Sequence, residues 1–250
     1  MLGRTLFLHV GFPKCGSTSL QEALSQAEGV TFPTAGRNGG EHLCLPLKLR
    51  GVDAYTSQWF SHEWVDVQYA ALMDEIEAAP ASNSVVVSSE RLASTTPEEA
   101  PVLAAMFEGW WVEVVIVRRP AERFIDSLWR HAVFWHDYAW ELDVLRREMS
   151  EFSFERTQAI FAPHFPVHML DMDSPDYEAR LSALFGAPIR VGHANVGVPA
   201  ALAELLQTNH RLMGSARFKA AFPYAVKEAM RAAMAGELTP ETDPFDVPIF

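Results

Sequence analysis

The chain reads as an α/β fold of three layers, a central parallel sheet with helices on both faces, and three observations carry that reading. Apolar runs of strand length at 6–10, 84–88 and 112–117 alternate with longer segments of helical period. The runs are apolar at nearly every position, as strands covered on both faces must be, rather than at every second one. The first and third lead directly into a turn and a helix start, the βα order that builds a parallel sheet with its ligand crevice at the carboxyl ends of the strands.

The first strand, Leu6-Phe7-Leu8-His9-Val10, is followed by Gly11-Phe12-Pro13-Lys14-Cys15-Gly16-Ser17-Thr18-Ser19 and then by a helix over 18–27 with Leu20, Ala23 and Leu24 on one face. The glycine-rich stretch 33–40 has the composition of a mobile loop. Trp64, Val65, Ala71, Leu72 and Ile76 recur at helical spacing across 61–79, and Pro80 closes that covering helix. A strand over 84–88 ends at Ser89-Glu90-Arg91. Thr96-Pro97-Glu98-Glu99 carries a capping-box pattern with proline at the first helical position, opening a helix to about 107. After the strand 112–117 the pattern predicts one long helix over 120–149, then a strand over 167–170 and a helix over 174–185 capped by Gly186. From about 199 to 235 the chain reads as helical. No repeat, low-complexity tract or linker divides it, so the expectation is one domain over 1–250 with a mostly helical part from about 199.

Composition narrows the function. With 250 residues, 49% of them hydrophobic, the chain can bury a sizeable core. No run of about eighteen apolar residues is present, and no charged-then-apolar signal segment opens the chain, so the reading is no membrane span and a cytoplasmic location. Two cysteines, Cys15 and Cys44, are too few for a disulfide framework and fit a reducing compartment. A net charge of −12 argues against nucleic acid or a highly sulfated polymer as partner, and the cations gather near the first and third strands. Oligomeric state is not legible.

The turn after the first strand carries the chemistry. Gly11, Gly16 and Thr18 stand where a P-loop has its two glycines and final Ser/Thr, whereas Ser17 occupies the lysine position and the lysine stands three residues earlier, as Lys14. Backbone amides of such a turn, with the helix N-terminus, form a nest for an anion. Pro13-Lys14-Cys15-Gly16-Ser17-Thr18 resembles the 5′-phosphosulfate loop of the sulfotransferases that use 3′-phosphoadenosine 5′-phosphosulfate (PAPS). Arg118-Arg119-Pro120 through Ser127 resembles the same family's 3′-phosphate segment, where an arginine at a strand end and a serine on the next helix hold that phosphate. The family spacing of eight fits Arg119 with Ser127; anchoring on Arg-x-Pro selects Arg118 and puts Asp126 at the serine position. Both arginines stay open here.

The resemblance covers about the first half of the chain. It implies a P-loop-like fold, PAPS as donor and PAP as product, no metal, and Pro13, Lys14, Cys15, Gly16, Ser17, Thr18, Ser19, Arg118, Arg119 and Ser127 as the nucleotide site. The Arg-Lys-Gly segment of the cytosolic members is absent, with Arg190-Val191-Gly192-His193-Ala194-Asn195 as a remote stand-in, which favours a bacterial or carbohydrate-type branch and a carbohydrate or small hydroxylated acceptor.

Sulfuryl transfer needs donors on the transferring group and a base for the acceptor proton. Lys14 supplies the first. For the base, Ser88-Ser89-Glu90 overlays the Lys-Thr-His segment of cytosolic members, placing Glu90 at the histidine; the alternative is that Glu90 only pairs with Arg91 or Arg118. His42, behind the glycine-rich loop, is the competing base. Cys15 is either a thiol with a lowered pKa in a positive loop or a small residue that fits the turn. Trp129, His131, Phe134, Trp135, His136, Tyr138 and Trp140 form an aromatic and histidine cluster. Phe124, Leu128, His131 and Trp135 share a core-type face, while Phe134, Tyr138 and Trp140 are candidates for an acceptor pocket. No metal-site spacing is present. A small-molecule kinase using ATP and Mg²⁺ is the second reading, although Ser17 replaces its loop lysine, and a non-catalytic nucleotide-binding protein is the third.

Overall fold

The structure, a computed structural model, describes residues 5–53, 56–136, 141–150, 153–192, 203–204 and 206–207, and of Trp135 and His136 only the backbone. The element order is β1 (Thr5–Val10), α1 (Ser17–Gln26), β2 (Val30–Thr31), β3 (Arg37–Asn38), β4 (Glu41–His42), α2 (Cys44–Arg50), α3 (His62–Ala78), β5 (Ser84–Ser89), α4 (Glu99–Ala105), β6 (Trp111–Arg118), α5 (Ala121–His136), α6 (Leu142–Glu148), α7 (Phe154–Phe161), β7 (Val167–Asp171) and α8 (Tyr177–Phe185). Two compact units result, Met1–Pro120 with Ser153–Ala194, and Ala121–Phe152 with Asn195–Phe250.

The first unit holds a five-stranded sheet in the order β2-β5-β1-β6-β7, with every pairing parallel. Strand β1 is therefore central, and chain order reverses on either side of it, which is the crevice position of an open α/β sheet. Leu6, Leu8, Val85, Val87, Val114 and Ile116 are wholly buried, as the unbroken apolar runs require. On one face Phe7, Val86, Val115, Val117 and Leu170 pack with Leu20 and Leu24 of α1 and with Tyr177, Leu181 and Phe185 of α8. Full burial of each such leucine or phenylalanine stabilises by about 1.5–3 kcal/mol.

Three predicted helix ends are present as side-chain or backbone caps. Ser61 Oγ accepts from Trp64 N at 3.0 Å and starts α3. The capping box before α4 is reciprocal: Glu99 N donates to Thr96 Oγ1 at 3.3 Å, and Thr96 N donates to Glu99 Oε2 at 3.0 Å. Gly186, at φ 66°, takes the left-handed conformation that ends α8. That helix starts at Tyr177 rather than 174, because Ser174 makes a turn with its hydroxyl on Asp176.

The stretch 33–40 is not the mobile loop its glycines suggested. It leads into the antiparallel pair β3–β4, with Arg37 opposite His42. Helix α3 satisfies the backbone ahead of that pair: Glu75 accepts from Thr34 N at 2.5 Å and from Ala35 N at 3.1 Å, and Gln68 accepts from Gly36 N at 2.9 Å. Arg37 lies over the Phe32 ring at 4.1 Å. Its glycines are not equivalent. A Cβ on Gly36 would sit 2.0 Å from Cys44 Sγ at φ +73°, whereas one on Gly39 would meet nothing within 4 Å at φ +63°. Gly36→Ala is expected to lose roughly 1–3 kcal/mol from overpacking alone and Gly39→Ala clearly less. Urea midpoints check this; equal losses at the two positions would show that backbone strain, not Cys44, sets the cost.

In the second unit the predicted long helix is two: α5 ends at His136 and α6 spans Leu142–Glu148. Phe124, Ile125, Trp129, Val133 and Phe134 of α5 are buried. Phe134 is thus a core residue and not a pocket wall, as its wholly buried ring requires. Tyr138, Trp140, His193 to Asn195 and nearly all of 199–235 lie outside the described residues. No helix among the described residues is long and apolar enough to cross a membrane.

Candidate functional site

Four adjacent parallel strands deliver their carboxyl ends to one place. After β1 comes the glycine loop, after β5 Glu90, after β6 Arg119, and after β7 Met172 and Asp173. All belong to the first unit.

The loop is a folded turn. Cys15 N donates to Phe12 O at 3.1 Å, Gly11 N to Ser89 O at 3.2 Å, and Leu20 N to Gly16 O at 3.0 Å. Gly16 caps α1 in the left-handed region, φ 75°, and Met172 packs against it, 3.0 Å from where a Cβ would stand. Lys14 also has positive φ, 65°, the only non-glycine residue to do so among those described. That conformation costs a side-chain-bearing residue of order 1–3 kcal/mol and persists only where its surroundings impose it. Here Arg119 imposes it: Nη1 donates to the Lys14 carbonyl at 3.0 Å, Nη2 lies 3.6 Å from Asp173 Oδ1, and the buried Nε has no partner among the described residues.

Lys14 Nζ makes no hydrogen bond or ion pair with any described residue. Its pKa is lowered by burial and by the Arg119 charge, against the opposing pull of Glu90. Glu90 follows β5 as the first residue of a short 3-10 turn. Burial, then the Glu41 carboxylate, raises its pKa above the ordinary range, against a hydrogen bond from Ser17 and the charge of Lys14. Neither Arg91 nor Arg118 pairs with it: Arg91 faces Glu41 at 3.9 Å, and Arg118 holds Glu155 at 2.8 Å.

Ser17 is buried; its hydroxyl donates to Phe12 O at 3.3 Å and lies on the same side of Gly11 as Glu90. Gly11 is there because Ser17 Oγ, Glu90 Cγ and the His9 ring edge would lie 2.6, 3.2 and 3.3 Å from a side chain in its place. Pro13 and Thr18 face outward, and Ser19 is half-buried. The Cys15 thiol is not activated: burial pushes its pKa up to about 12, outweighing the nearby Arg119 charge, so it is the small residue that fits the turn. Arg118, the last residue of β6, turns to Glu155, whereas Arg119, the first residue after the strand, turns to the Lys14 carbonyl. Ser127 lies on α5 in the second unit, and its neighbour Asp126 pairs with Arg130.

His42 is displaced from the role the sequence suggested. It is fully buried, accepting from Ser88 N at Nδ1 (3.1 Å) and donating from Nε2 to Pro33 O at 2.8 Å. Strand β2 pairs with β5 only at Ser84 and Val85, and the His42 ring satisfies the edge of β5 farther along. Burial lowers its pKa to about 4, so the ring is neutral and structural.

His9 was missed, although a histidine inside an apolar strand one residue short of the loop is a visible anomaly. It is fully buried; Nδ1 lies 2.8 Å from Ser88 Oγ, which also accepts from Gln21 Nε2 at 2.9 Å, and its own Nε2 has no partner among the described residues. Desolvation lowers its pKa to about 4.

The chain matches no protein-family profile and no curated protein. Among the solved structures that resemble it is a protein of Chloroflexus aurantiacus J-10-fl provisionally named a kinase, 16% identical, with 74% of this chain and 95% of that one covered at a TM-score of 0.34. Another comes from the PezAT chromosomal toxin–antitoxin system of Streptococcus pneumoniae, 12% identical, with 94% of this chain and 87% of that one covered at a TM-score of 0.31. Superposition this loose carries no conclusion about site or ligand.

Proposed function

We propose that this chain is a sulfotransferase that moves a sulfuryl group from PAPS to a hydroxyl, or an amine, of a carbohydrate or small metabolite. The observation that carries the reading is the loop itself: a cation, Lys14, held in a left-handed turn by Arg119 at the N-terminus of α1, with a serine buried where an ATP-type P-loop has its lysine. The turn's amides, the Ser17 and Thr18 hydroxyls and Lys14 would receive the 5′-phosphosulfate, and the Arg119 guanidinium, with its spare Nε, would reach the 3′-phosphate. Glu90 would take the acceptor proton while the acceptor oxygen bonds to sulfur and the bond from sulfur to the 5′-phosphate oxygen breaks. A raised pKa suits a carboxylate to that work near neutral pH. The buried, unpaired cysteines would fit the cytoplasm.

One observation favours the kinase reading: Glu90 ends the strand beside β1, where a Mg²⁺-holding carboxylate would stand. Against it, the Ser17 hydroxyl already donates to Phe12 O, and no cation occupies the position before Thr18.

Calorimetric titration with PAP, and separately with ATP plus Mg²⁺, decides between them. The expected result is metal-independent PAP binding, weakened roughly 10- to 100-fold by Arg119→Ala and only marginally by Arg118→Ala, whose guanidinium is engaged with Glu155. Preference for ATP with Mg²⁺ would overturn the sulfotransferase reading.

A further inference from the structure

The turn that carries Glu90 is held by a residue from another part of the chain. Glu41 Oε2 accepts from Glu90 N at 3.0 Å and from Ser89 Oγ at 2.9 Å, so one carboxylate oxygen satisfies both the backbone and the side chain where β5 gives way to the 3-10 turn. Ser89 Oγ in turn accepts from Arg91 N at 3.3 Å. Glu41 is itself set by β4, whose other residue is the buried His42, and the pair β3–β4 is pinned by α3. A long chain of structure thus ends on one carboxylate beside the candidate base.

We propose that Glu41 is the positioning residue of Glu90, fixing the turn from which the Glu90 carboxyl meets Ser17 and Lys14 and adding a second negative charge beside it. This rests on the reading of Glu90 as the base of the proposed reaction. The groups that face Glu90 are Lys14 from the loop, the Ser17 hydroxyl from α1, Glu41 from β4 and, across Gly11, the neutral His9 ring of β1. Arg91, on the same turn, faces Glu41 instead. Of these, Glu41 opposes ionisation of Glu90, and Lys14 and Ser17 favour it. A base that is too easily ionised is a weak one, so a neighbour that makes the carboxyl hold its proton longer strengthens it.

Glu41→Gln keeps the acceptor oxygen and removes the charge. In the full chain labelled with ¹³C at the glutamate carboxyls, the Glu90 signal is assigned by its loss in Glu90→Gln and followed through a pH titration. The expected result is a folded Glu41→Gln protein whose Glu90 midpoint has moved to lower pH, with the acid limb of the PAPS turnover profile moved the same way. Ser89→Ala, which removes a hydrogen bond but no charge, should leave the midpoint nearly in place. An unmoved midpoint in folded Glu41→Gln overturns the proposal, and so does a Glu41→Gln chain that no longer folds, which would assign Glu41 to the fold alone. Failure of wild-type protein to bind PAP would instead sink the sulfotransferase reading and leave the carboxyl titration standing.

Discussion

On the proposed sulfotransferase reading, Lys14→Ala is expected to lower turnover of PAPS by on the order of a hundred- to a thousand-fold while weakening PAP binding only by about tenfold. The asymmetry follows from where charge develops. As the bond from sulfur to the 5′-phosphate oxygen breaks, negative charge grows on the leaving phosphate, and a cation placed at the loop gains most at that moment. Lys14 is suited to it because its ammonium is bound to no other described residue and its environment already opposes its charge. Alanine at 14 also inherits φ 65°, so a loss in Lys14→Ala mixes a missing cation with a strained turn. Lys14→Gly separates them, since glycine takes that conformation freely. Release of PAP from PAPS, to water or to a panel of hydroxylated acceptors, is the measurement. If Lys14→Gly restores most of the wild-type rate, the lysine serves the backbone and not the chemistry.

A steep loss of stability as the pH falls from about 6.5 to 4 is the second expected result. His9 and His42 are both buried and neutral, with pKa values lowered by desolvation to about 4 from an ordinary 6.5. Their folded values lie below their unfolded ones, so the stability they contribute is present above 6.5 and is lost as the pH falls through the folded values. Each withdraws on the order of 3 kcal/mol across that window, against a total of about 5–15 kcal/mol for a typical domain. Urea unfolding at a series of pH values should show this slope. His42→Gln retains a donor for Pro33 O and an acceptor for Ser88 N and cannot be protonated, so its slope should be about half that of wild type. Superimposable pH curves for the two proteins would refute the assignment.

Periodicity located the elements that bury on both faces, because a parallel strand under helices leaves an apolar run with nothing else to mean. Strands β1, β5, β6 and β7 stand within one or two residues of their apolar runs, and the caps at Ser61, Thr96 and Gly186 are local bonds between residues close in sequence. Helices α2 and α7 escaped because each is short, seven and eight residues, and α2 carries Pro46. The glycines of 33–40 misled because their backbone partners, Glu75 and Gln68, lie some thirty to forty residues away.

The candidate site divides in the same way. The spacing of Gly11, Lys14, Gly16 and Ser17 is a local matter, since one turn between a strand and a helix is made by consecutive residues, and it was readable directly. That Arg119 and not Arg118 meets the loop, that His42 is a buried brace, and that Glu41 and Ser17 converge on Glu90 depend on strand order and on which face each side chain takes. The amino-acid order by itself determined the α/β fold and the anion-sized turn, because both arise from short-range pattern. Tertiary structure alone decided which charges face one another, because partners separated by 37 to 105 residues meet only when the sheet is assembled.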